Sequence, residues 1–299
     1  MRNAKRLKRS RPPAAAPAAA ATEGKVVNKS ERGGVRKSPK CSTTGTSLTP
    51  TCSPSLRAKL QSGYGRAFKP SLGHSKTQND IHMKIRREDT AIVFTDPQNE
   101  VLSEKGLAWP LVRESLQENN TIENMERIFR AAKAHGFEVF ISPHYFYPTD
   151  KGWKFNGPLE TDEATSGYFA RKGVLNLDGF EGSGADWLER FKPYIQDGKT
   201  IVVAPHRVFG PETNDLVLQL RKRKISKVIL GGMLANMCVE SHMRELLEQG
   251  FEVAVAKDAT AAPKHPEWGY GYEAALINYA FLAHAVLTTD QAVKVMEQP

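Results

Sequence analysis

The chain has little cysteine and no long apolar run. Only three cysteines occur among its 299 residues, too few for the disulfide framework of a small secreted scaffold. No stretch of about 18 apolar residues is present, and a helix needs roughly that length to cross a bilayer. The sequence therefore excludes a disulfide-stabilised scaffold and a multi-span membrane protein.

Acidic residues are almost missing from the first quarter of the chain. Residues 1–79 hold 17 of the 42 lysines and arginines but only two of the 33 acidic residues, Glu23 and Glu31. The rest of the chain therefore carries 25 basic and 31 acidic side chains, although the whole has a formal charge of +9. A basic chain favours nucleic acid or an anionic membrane as a partner. Because the body is mildly acidic, we expect neither of them.

The composition of residues 1–82 predicts a disordered extension rich in Ala, Pro and Ser, because such a segment buries too little apolar surface to fold. Cys41 and Cys52 fall inside it as incidental thiols. The extension has three readings: an organelle transit peptide, a nuclear or nucleic-acid signal at residues 5–11, or a dispensable segment with Met83 as a possible start. We favour the last reading and a cytoplasmic location, since no apolar signal region follows the basic start.

Residues 83–299 alternate apolar strand patterns with amphipathic helix patterns. This order predicts a three-layer, Rossmann-like α/β fold, with a mostly parallel central sheet covered by helices on both faces. The predicted strands span residues 91–95, 137–142, 200–204, 227–230, 251–256 and 285–288, and the predicted helices span 121–135, 214–223, 237–249 and 273–284.

Neither a dinucleotide fingerprint nor a phosphate-binding loop follows the first strand. Residues 96–99 read Asp-Pro-Gln-Asn instead of a glycine-rich turn. No pair of His, Cys or Asp residues has the spacing of a metal site. We therefore predict chemistry without a cofactor or a metal, and activity that survives chelation.

Five reactive residues follow predicted strands directly: Asp96, His144, His206, Arg207 and Cys238. Sites in parallel sheets lie at the carboxyl ends of the strands, so these side chains are expected at one rim. Cys238 opens a helix, where the dipole favours thiolate and free N–H groups can hold an oxyanion. A buried structural cysteine and a turn-capping Asp96 are the alternatives.

Aromatic residues are concentrated in the segment after the second strand. Tyr145, Trp153 and Phe155 lie within residues 145–168. This pattern favours a lid over a planar or apolar group, and ordinary loop packing is the alternative.

Several motifs together resemble the isochorismatase-like cysteine hydrolases. They are Asp-Pro-Gln-Asn at 96–99, GMLANMCVE at 232–240, GFEV at 250–253 and Asp-Ala-Thr at 258–260. The resemblance covers about residues 88–290, and the order and spacing of the motifs agree throughout.

The resemblance implies a Cys/Asp/Lys triad in which Asp96 is the base and Cys238 the nucleophile. It also implies a cis peptide just before Ala235, and an oxyanion hole made by the N–H groups of Ala235 and Cys238. Members of the family cleave small amides, carbamoyl groups or nicotinamide, whereas isochorismatases hydrolyse a vinyl ether. Many relatives are dimers or tetramers, so a homo-oligomer is expected.

No lysine stands at the end of the third predicted strand, where residues 204–210 read APHRVFG. We assign Arg207 to the lysine position, so the expected catalytic set is Asp96, Arg207 and Cys238. Arginine keeps the positive charge but does not release a proton. The metal-binding residues of the nicotinamidase branch are not found here, which disfavours nicotinamide as substrate.

These observations predict a cysteine hydrolase that cleaves a small-molecule amide or related C–N bond through a thioester on Cys238. A vinyl-ether hydrolase and a non-catalytic binding relative are the alternatives. The residues expected to contact the small-molecule substrate are Gln98, His144, Tyr145, Trp153, Phe155 and His206.

Overall fold

The computed structural model describes residues 83–298, which form a six-stranded sheet with helices on both sides. The order across the sheet is β3-β2-β1-β4-β5-β8, and every neighbouring pair is parallel. These strands are β1 (Thr90–Thr95), β2 (Glu138–Ser142), β3 (Ile201–Val202), β4 (Lys227–Met233), β5 (Glu252–Ala261) and β8 (Ala285–Leu287). A small antiparallel pair consists of β6 (Lys264–His265) and β7 (Gly269–Tyr270). The predicted extension over residues 1–82, with Cys41 and Cys52, lies outside the described residues.

Helices connect the strands and cover the sheet. They are α1 (Asn99–Leu102), α2 (Trp109–Glu118), α3 (Thr121–His135), α4 (Pro158–Ser166), α5 (Lys192–Ile195), α6 (Leu216–Lys222), α7 (Glu240–Glu248), α8 (Gly271–Leu282) and α9 (Thr289–Glu297). Single 3-10 turns span Pro148–Gly152, Glu189–Phe191 and Pro211–Thr213. None of the helices within residues 83–298 has both the length and the apolar character needed to cross a membrane.

Two apolar cores fill the spaces between the sheet and its two helix layers. Ile92 and Phe94 of β1 belong to one core, and Ala91 and Val93 belong to the other. This alternation follows from the two-residue period of a strand. The first core takes in side chains of α3 and α9, and the second takes in side chains of α6, α7 and α8. The predicted three-layer fold is therefore confirmed.

The structure confirms the predicted helix over residues 121–135, including both of its end residues. Its buried side includes Met125, Ile128 and Phe129, and Gly136 ends the helix with a φ of 73°. Two other predictions differ from the structure. The third strand has only two residues, and the helix after β4 begins with a π-helical turn, Ala235–Val239.

A close approach between β1 and β4 brings their carboxyl ends together. A Cβ atom added to Gly232 would lie 2.1 Å from the carbonyl oxygen of Thr95, and the φ of Gly232 is 108°. Only glycine tolerates both conditions. Thr95 Oγ1 also donates to the carbonyl of Met233 at 2.9 Å. The segments that follow these two strands therefore start side by side.

Asp197 ties α3 to the turn that precedes β3. Its carboxylate lies 2.7 Å from Lys133 Nζ and accepts the backbone N–H groups of Lys199 and Thr200. Burial acts to raise the pKa of Asp197, but these donors outweigh it and lower the pKa to about 2. The carboxylate therefore stabilises the folded state above the unfolded pKa of 3.8, and this stabilisation is lost as the pH falls towards 2.

Asp197→Asn is expected to lower the free energy of unfolding by about 1–2 kcal/mol near pH 7, after discounting for partial exposure. The difference from the parent should shrink as the pH falls below about 4. Urea unfolding across this pH range measures it, with Glu104→Gln on an exposed loop as the control. A difference that stays constant with pH would contradict the assignment.

Candidate active site

Asp96, His206 and Cys238 converge at the carboxyl edge of the sheet. His206 Nε2 lies 2.8 Å from Asp96 Oδ1, and one side-chain atom from each of the three residues lies within 4.8 Å of the other two. Asp96 is 2% exposed, His206 0% and Cys238 9%. A carboxylate, an imidazole and a thiol therefore share one nearly buried cluster, which we call the Asp-His-Cys cluster.

Asp96 is the centre of this cluster. It follows β1 directly and has a φ of 49°, in the left-handed region that Asp and Asn tolerate better than most residues. Its carboxylate accepts a hydrogen bond from the His206 imidazole and lies within 4.8 Å of the Cys238 sulfur. The same carboxylate can thus take the thiol proton while the imidazole holds it in place.

Cys238 lies in the π-helical turn between β4 and α7. Burial raises the pKa of its thiol, and the negative charge of Asp96 raises it further. The nearby backbone of Leu234 acts in the opposite direction. Burial and the nearby carboxylate therefore favour the neutral thiol, and the expected effect of the helix start stays a prediction. The resting group is a thiol with a base beside it.

The structure places His206, rather than Arg207, beside Asp96. The backbone N–H of His206 donates to the carbonyl of Pro143 at 2.9 Å, and a parallel bridge pairs His206 with His144. At residue 206 the chain therefore again runs beside the segment after β2, in the direction of β3, and the imidazole points towards Asp96. His206 occupies the place where the resemblance implies a lysine.

Arg207 points away from the cluster, which corrects the expectation that it serves beside Asp96. Its guanidinium pairs with the buried carboxylate of Asp150 and lies over the rings of Tyr147 and Trp153. Neighbouring side chains of an extended segment point in opposite directions. An alignment that is wrong by one residue therefore assigns the site role to a side chain on the opposite face of the segment.

His242 supports the cluster from behind. Its Nδ1 lies 2.7 Å from the carbonyl oxygen of Cys238 and its Nε2 lies 2.8 Å from Ser142 Oγ. A carbonyl only accepts, so Nδ1 carries the proton and Nε2 accepts from Ser142. Burial lowers the pKa of His242 to about 3, and the charge of His206 adds to this effect. His242 is therefore neutral and positions the turn that carries Cys238.

A second polar pair, which sequence reasoning missed in part, adjoins the cluster. His144 stacks on His206 with ring centroids 5.0 Å apart, and its Nε2 lies 3.4 Å from Glu163 Oε1. Burial acts to lower the pKa of His144, but the nearby carboxylate of Glu163 outweighs it and raises the pKa. Glu163, on α4, was not among the predicted site residues.

A small cavity of about 50 Å³ opens onto the cluster. Engineered apolar cavities that bind benzene measure about 150 Å³, so this space suits a smaller group. Leu111, which is 52% exposed, marks its mouth. Among the residues that the structure describes, no lysine or arginine lines it. The lining residues are Asp96, Val101, Ala108, Leu111, His144, Leu159, Glu163, Tyr168, Phe169, Val208, Phe209, Met233, Leu234, Met237 and Cys238.

The predicted aromatic contacts lie elsewhere. Tyr145, Trp153 and Phe155 do not line the cavity; Tyr145 packs against Arg171, and Phe155 is fully exposed. Because backbone bridges hold His144 and Phe146 in extended chain, the side chain between them points away from His144. The aromatic residues that do line the cavity come later in the chain.

Gln98, another predicted substrate contact, is fully buried, and its side-chain amide is hydrogen-bonded to backbone groups. Its Nε2 donates to the carbonyls of His144 and Ala185, and its Oε1 accepts the N–H of His144. It therefore holds the segment after β2 against the start of α1, and its amide is not free for a ligand.

Gln98→Leu is expected to lower stability by at least about 2 kcal/mol, since it leaves three buried backbone groups without their partner. Thermal unfolding measures this loss, and Gln117→Leu on the exposed side of α2 is the control. A rise in KM with an unchanged melting temperature would instead support a direct substrate contact.

The cis peptide bond lies one residue earlier than the resemblance implies. The cis peptide bond joins Met233 to Leu234, not Leu234 to Ala235. The carbonyl of Ala235 accepts the hydroxyl of Tyr279 at 2.5 Å. The predicted oxyanion donors, the N–H groups of Ala235 and Cys238, lie in the turn that follows this bond.

A parallel α/β sheet with a thiol, a carboxylate and an imidazole at its carboxyl edge defines the class of cysteine hydrolases expected from the sequence. The isochorismatase domain model matches residues 90–291. The chain therefore belongs to the isochorismatase family, and it is a hydrolase.

Three relatives show the range of similarity. The ureidoacrylate amidohydrolase RutB of Variovorax paradoxus is 25% identical over 189 residues, which cover 60% of this chain and 71% of that protein. A cysteine hydrolase structure from Pseudomonas syringae has a TM-score of 0.60 at 19% identity, and covers 75% of this chain and 99% of its own. The N-carbamoylsarcosine amidase structure from Thermoplasma acidophilum has a TM-score of 0.50 at 20% identity, and covers 68% and 97%.

Proposed function

We propose that the protein hydrolyses a small amide or carbamoyl C–N bond through a thioester on Cys238. The observation that carries this proposal is the position of the Cys238 thiol within 4.8 Å of the Asp96 carboxylate, with both residues lining one cavity. The relation to a ureidoacrylate amidohydrolase supports the same bond type.

The first half-reaction transfers the thiol proton to Asp96 while the sulfur attacks the substrate carbonyl. The developing oxyanion takes hydrogen bonds from backbone N–H groups of the turn at residues 234–238, among them those of Ala235 and Cys238. Asp96 then returns the proton to the departing nitrogen as the C–N bond breaks. This step leaves an acyl group on the sulfur and releases an amine or ammonia.

The second half-reaction hydrolyses the thioester. Asp96 takes a proton from water, whose oxygen attacks the thioester carbonyl, and the proton then returns to the sulfur as the C–S bond breaks. His206 donates to Asp96 throughout and keeps the carboxylate oriented.

The charges around the cavity favour a neutral substrate. Asp96 and Glu163 line it, and none of its described lining residues is a lysine or arginine that could pair with a substrate carboxylate. Glu163 and His144 instead offer an acceptor and a donor suited to an amide or urea group. We therefore propose a neutral primary amide, urea or carbamate with a short acyl part.

A substrate panel tests this function. Neutral amides, ureas and carbamates are compared with the same compounds carrying a carboxylate, with release of ammonia or carbon dioxide as the readout. We expect the neutral member of each pair to have the higher kcat/KM. Mass spectrometry of the quenched enzyme should show the acyl group on Cys238, and a Cys238→Ala variant should show no adduct.

Isochorismate belongs in the same panel because the vinyl-ether reaction needs no thiol nucleophile. Release of pyruvate at an equal rate by the parent and by Cys238→Ala would overturn the thioester mechanism. Cleavage limited to carboxylated amides would overturn the assignment of a neutral substrate.

A further inference from the structure

The Asp-His-Cys cluster presents the three side-chain types that zinc prefers. Structural and catalytic zinc sites use thiolate sulfur, imidazole nitrogen and carboxylate oxygen, and catalytic sites combine three such ligands with one open position. Asp96 comes from the end of β1, His206 from the line of β3, and Cys238 from the turn after β4. Their separation along the chain is the reason that sequence spacing gave no sign of a metal site.

We propose that Asp96, His206 and Cys238 bind a zinc ion with a fourth position open to water, and that bound zinc blocks the thiol. The binding itself follows from the cluster, and the block rests on the proposed function. Zinc binding displaces the thiol proton to solvent, and the sulfur lone pair then bonds the metal instead of a substrate carbonyl.

The distances are close to those of a tetrahedral site. Zinc bonds nitrogen and oxygen at about 2.0–2.2 Å and sulfur at about 2.3 Å, so its ligand atoms stand roughly 3.3–3.7 Å apart. The cluster has one separation of 2.8 Å and all separations within 4.8 Å. Side-chain shifts of about 1 Å therefore bring the three atoms onto one ion.

The His206 ring packs against the rings of His144 and His242 and makes one side-chain hydrogen bond. Its Nε2 bonds Asp96, whereas its Nδ1 is buried and has no hydrogen-bond partner among the described residues. Turning the imidazole towards an ion therefore breaks a single side-chain hydrogen bond. Because the second ring nitrogen is without a partner, the imidazole can reorient without losing a further hydrogen bond.

The charge balance also favours a cation. Asp96 and Glu163 bring two carboxylates to the cavity, and no lysine or arginine lines it in the part of the chain that the structure describes. A lysine at position 206 would place an ammonium group beside Asp96 and oppose a second cation. The histidine at this position instead supplies a metal ligand.

Zinc affinity of the full-length protein, measured by competition with a chromophoric chelator, tests the proposal. The background carries Cys41→Ser and Cys52→Ser, so that Cys238 is the one remaining thiol. We expect one zinc ion per chain. Asp96→Asn, His206→Lys and Cys238→Ser should each weaken binding by at least about a hundredfold, since loss of supporting groups alone costs 10–100-fold. His265→Gln, an exposed histidine, should bind as the background does.

Cobalt gives a readout that needs no substrate. Cobalt bound by Cys238 should give a thiolate charge-transfer band and the intense visible bands of a four-coordinate ion, and Cys238→Ser should lose the charge-transfer band. Circular dichroism confirms that each variant is folded. Zinc binding that is absent, or equal in the background and all three variants, would overturn the proposal.

Activity separates this inference from the proposed function. With an accepted amide, zinc should inhibit the parent, chelator should restore it, and the residual activity of His206→Lys should resist zinc. Thioester formation without zinc binding at the cluster would overturn this inference alone. Zinc binding at the cluster without any thioester would overturn the proposed mechanism and leave the metal site standing.

Discussion

Cys238→Ala is expected to abolish turnover, with a loss of at least about 10⁴-fold in kcat, because it removes the proposed nucleophile. Asp96→Asn should cost at least about a hundredfold, since the amide can neither accept the thiol proton nor return it to the leaving nitrogen. Asparagine also tolerates the left-handed backbone at this position, so the loss would reflect chemistry rather than folding.

The two substitutions should be far from additive. When Cys238 is absent, Asp96 has no thiol proton to accept, and the double variant should be about as slow as Cys238→Ala alone. Single-turnover kinetics with any accepted substrate measure this, and Ser183→Ala, outside the cavity lining, is the control. A combined loss equal to the product of the single losses would show that the two residues act independently.

Much of the fold could be predicted because its signals are local. The apolar runs of β1 and β4 and the stripe of α3 repeat with the periods of a strand and a helix, and Gly136 stops α3 at the predicted residue. The length of the third strand was overestimated. Only residues 201 and 202 pair as a strand, although the chain returns to the sheet line at His206.

The sequence identified candidate site residues at positions that follow the end of a strand. Asp96 and Cys238 follow β1 and β4, and the fold itself brings those ends together. The choice between His206 and Arg207 required the side-chain direction after a two-residue strand, and a shift of one residue reverses that direction. Glu163 escaped notice because α4 has no apolar stripe; Pro158 at its first turn and Gly167 after its last are the signals that could have found it.

Substitutions of His206 and Arg207 are expected to give the second large effect. Although the two residues are adjacent, loss of His206 should lower kcat, whereas loss of Arg207 should lower stability. His206→Phe keeps a ring of similar size but removes the hydrogen bond to Asp96, and kcat should fall by about a hundredfold. His206→Lys restores a donor and a positive charge, and should recover part of that loss with an altered pH profile.

Arg207→Ala should act mainly on stability, because it leaves the buried carboxylate of Asp150 without its cation. We expect a loss of about 1–3 kcal/mol in the free energy of unfolding, with a smaller effect on kcat than either His206 variant. Melting temperature and single-turnover rate, measured together on the three variants, separate the two roles. A collapse of kcat in Arg207→Ala at an unchanged melting temperature, with His206→Phe near the parental rate, would return the catalytic assignment to the guanidinium. The structure argues for the opposite result, because Asp96 contacts the imidazole at 2.8 Å while Arg207 pairs with Asp150.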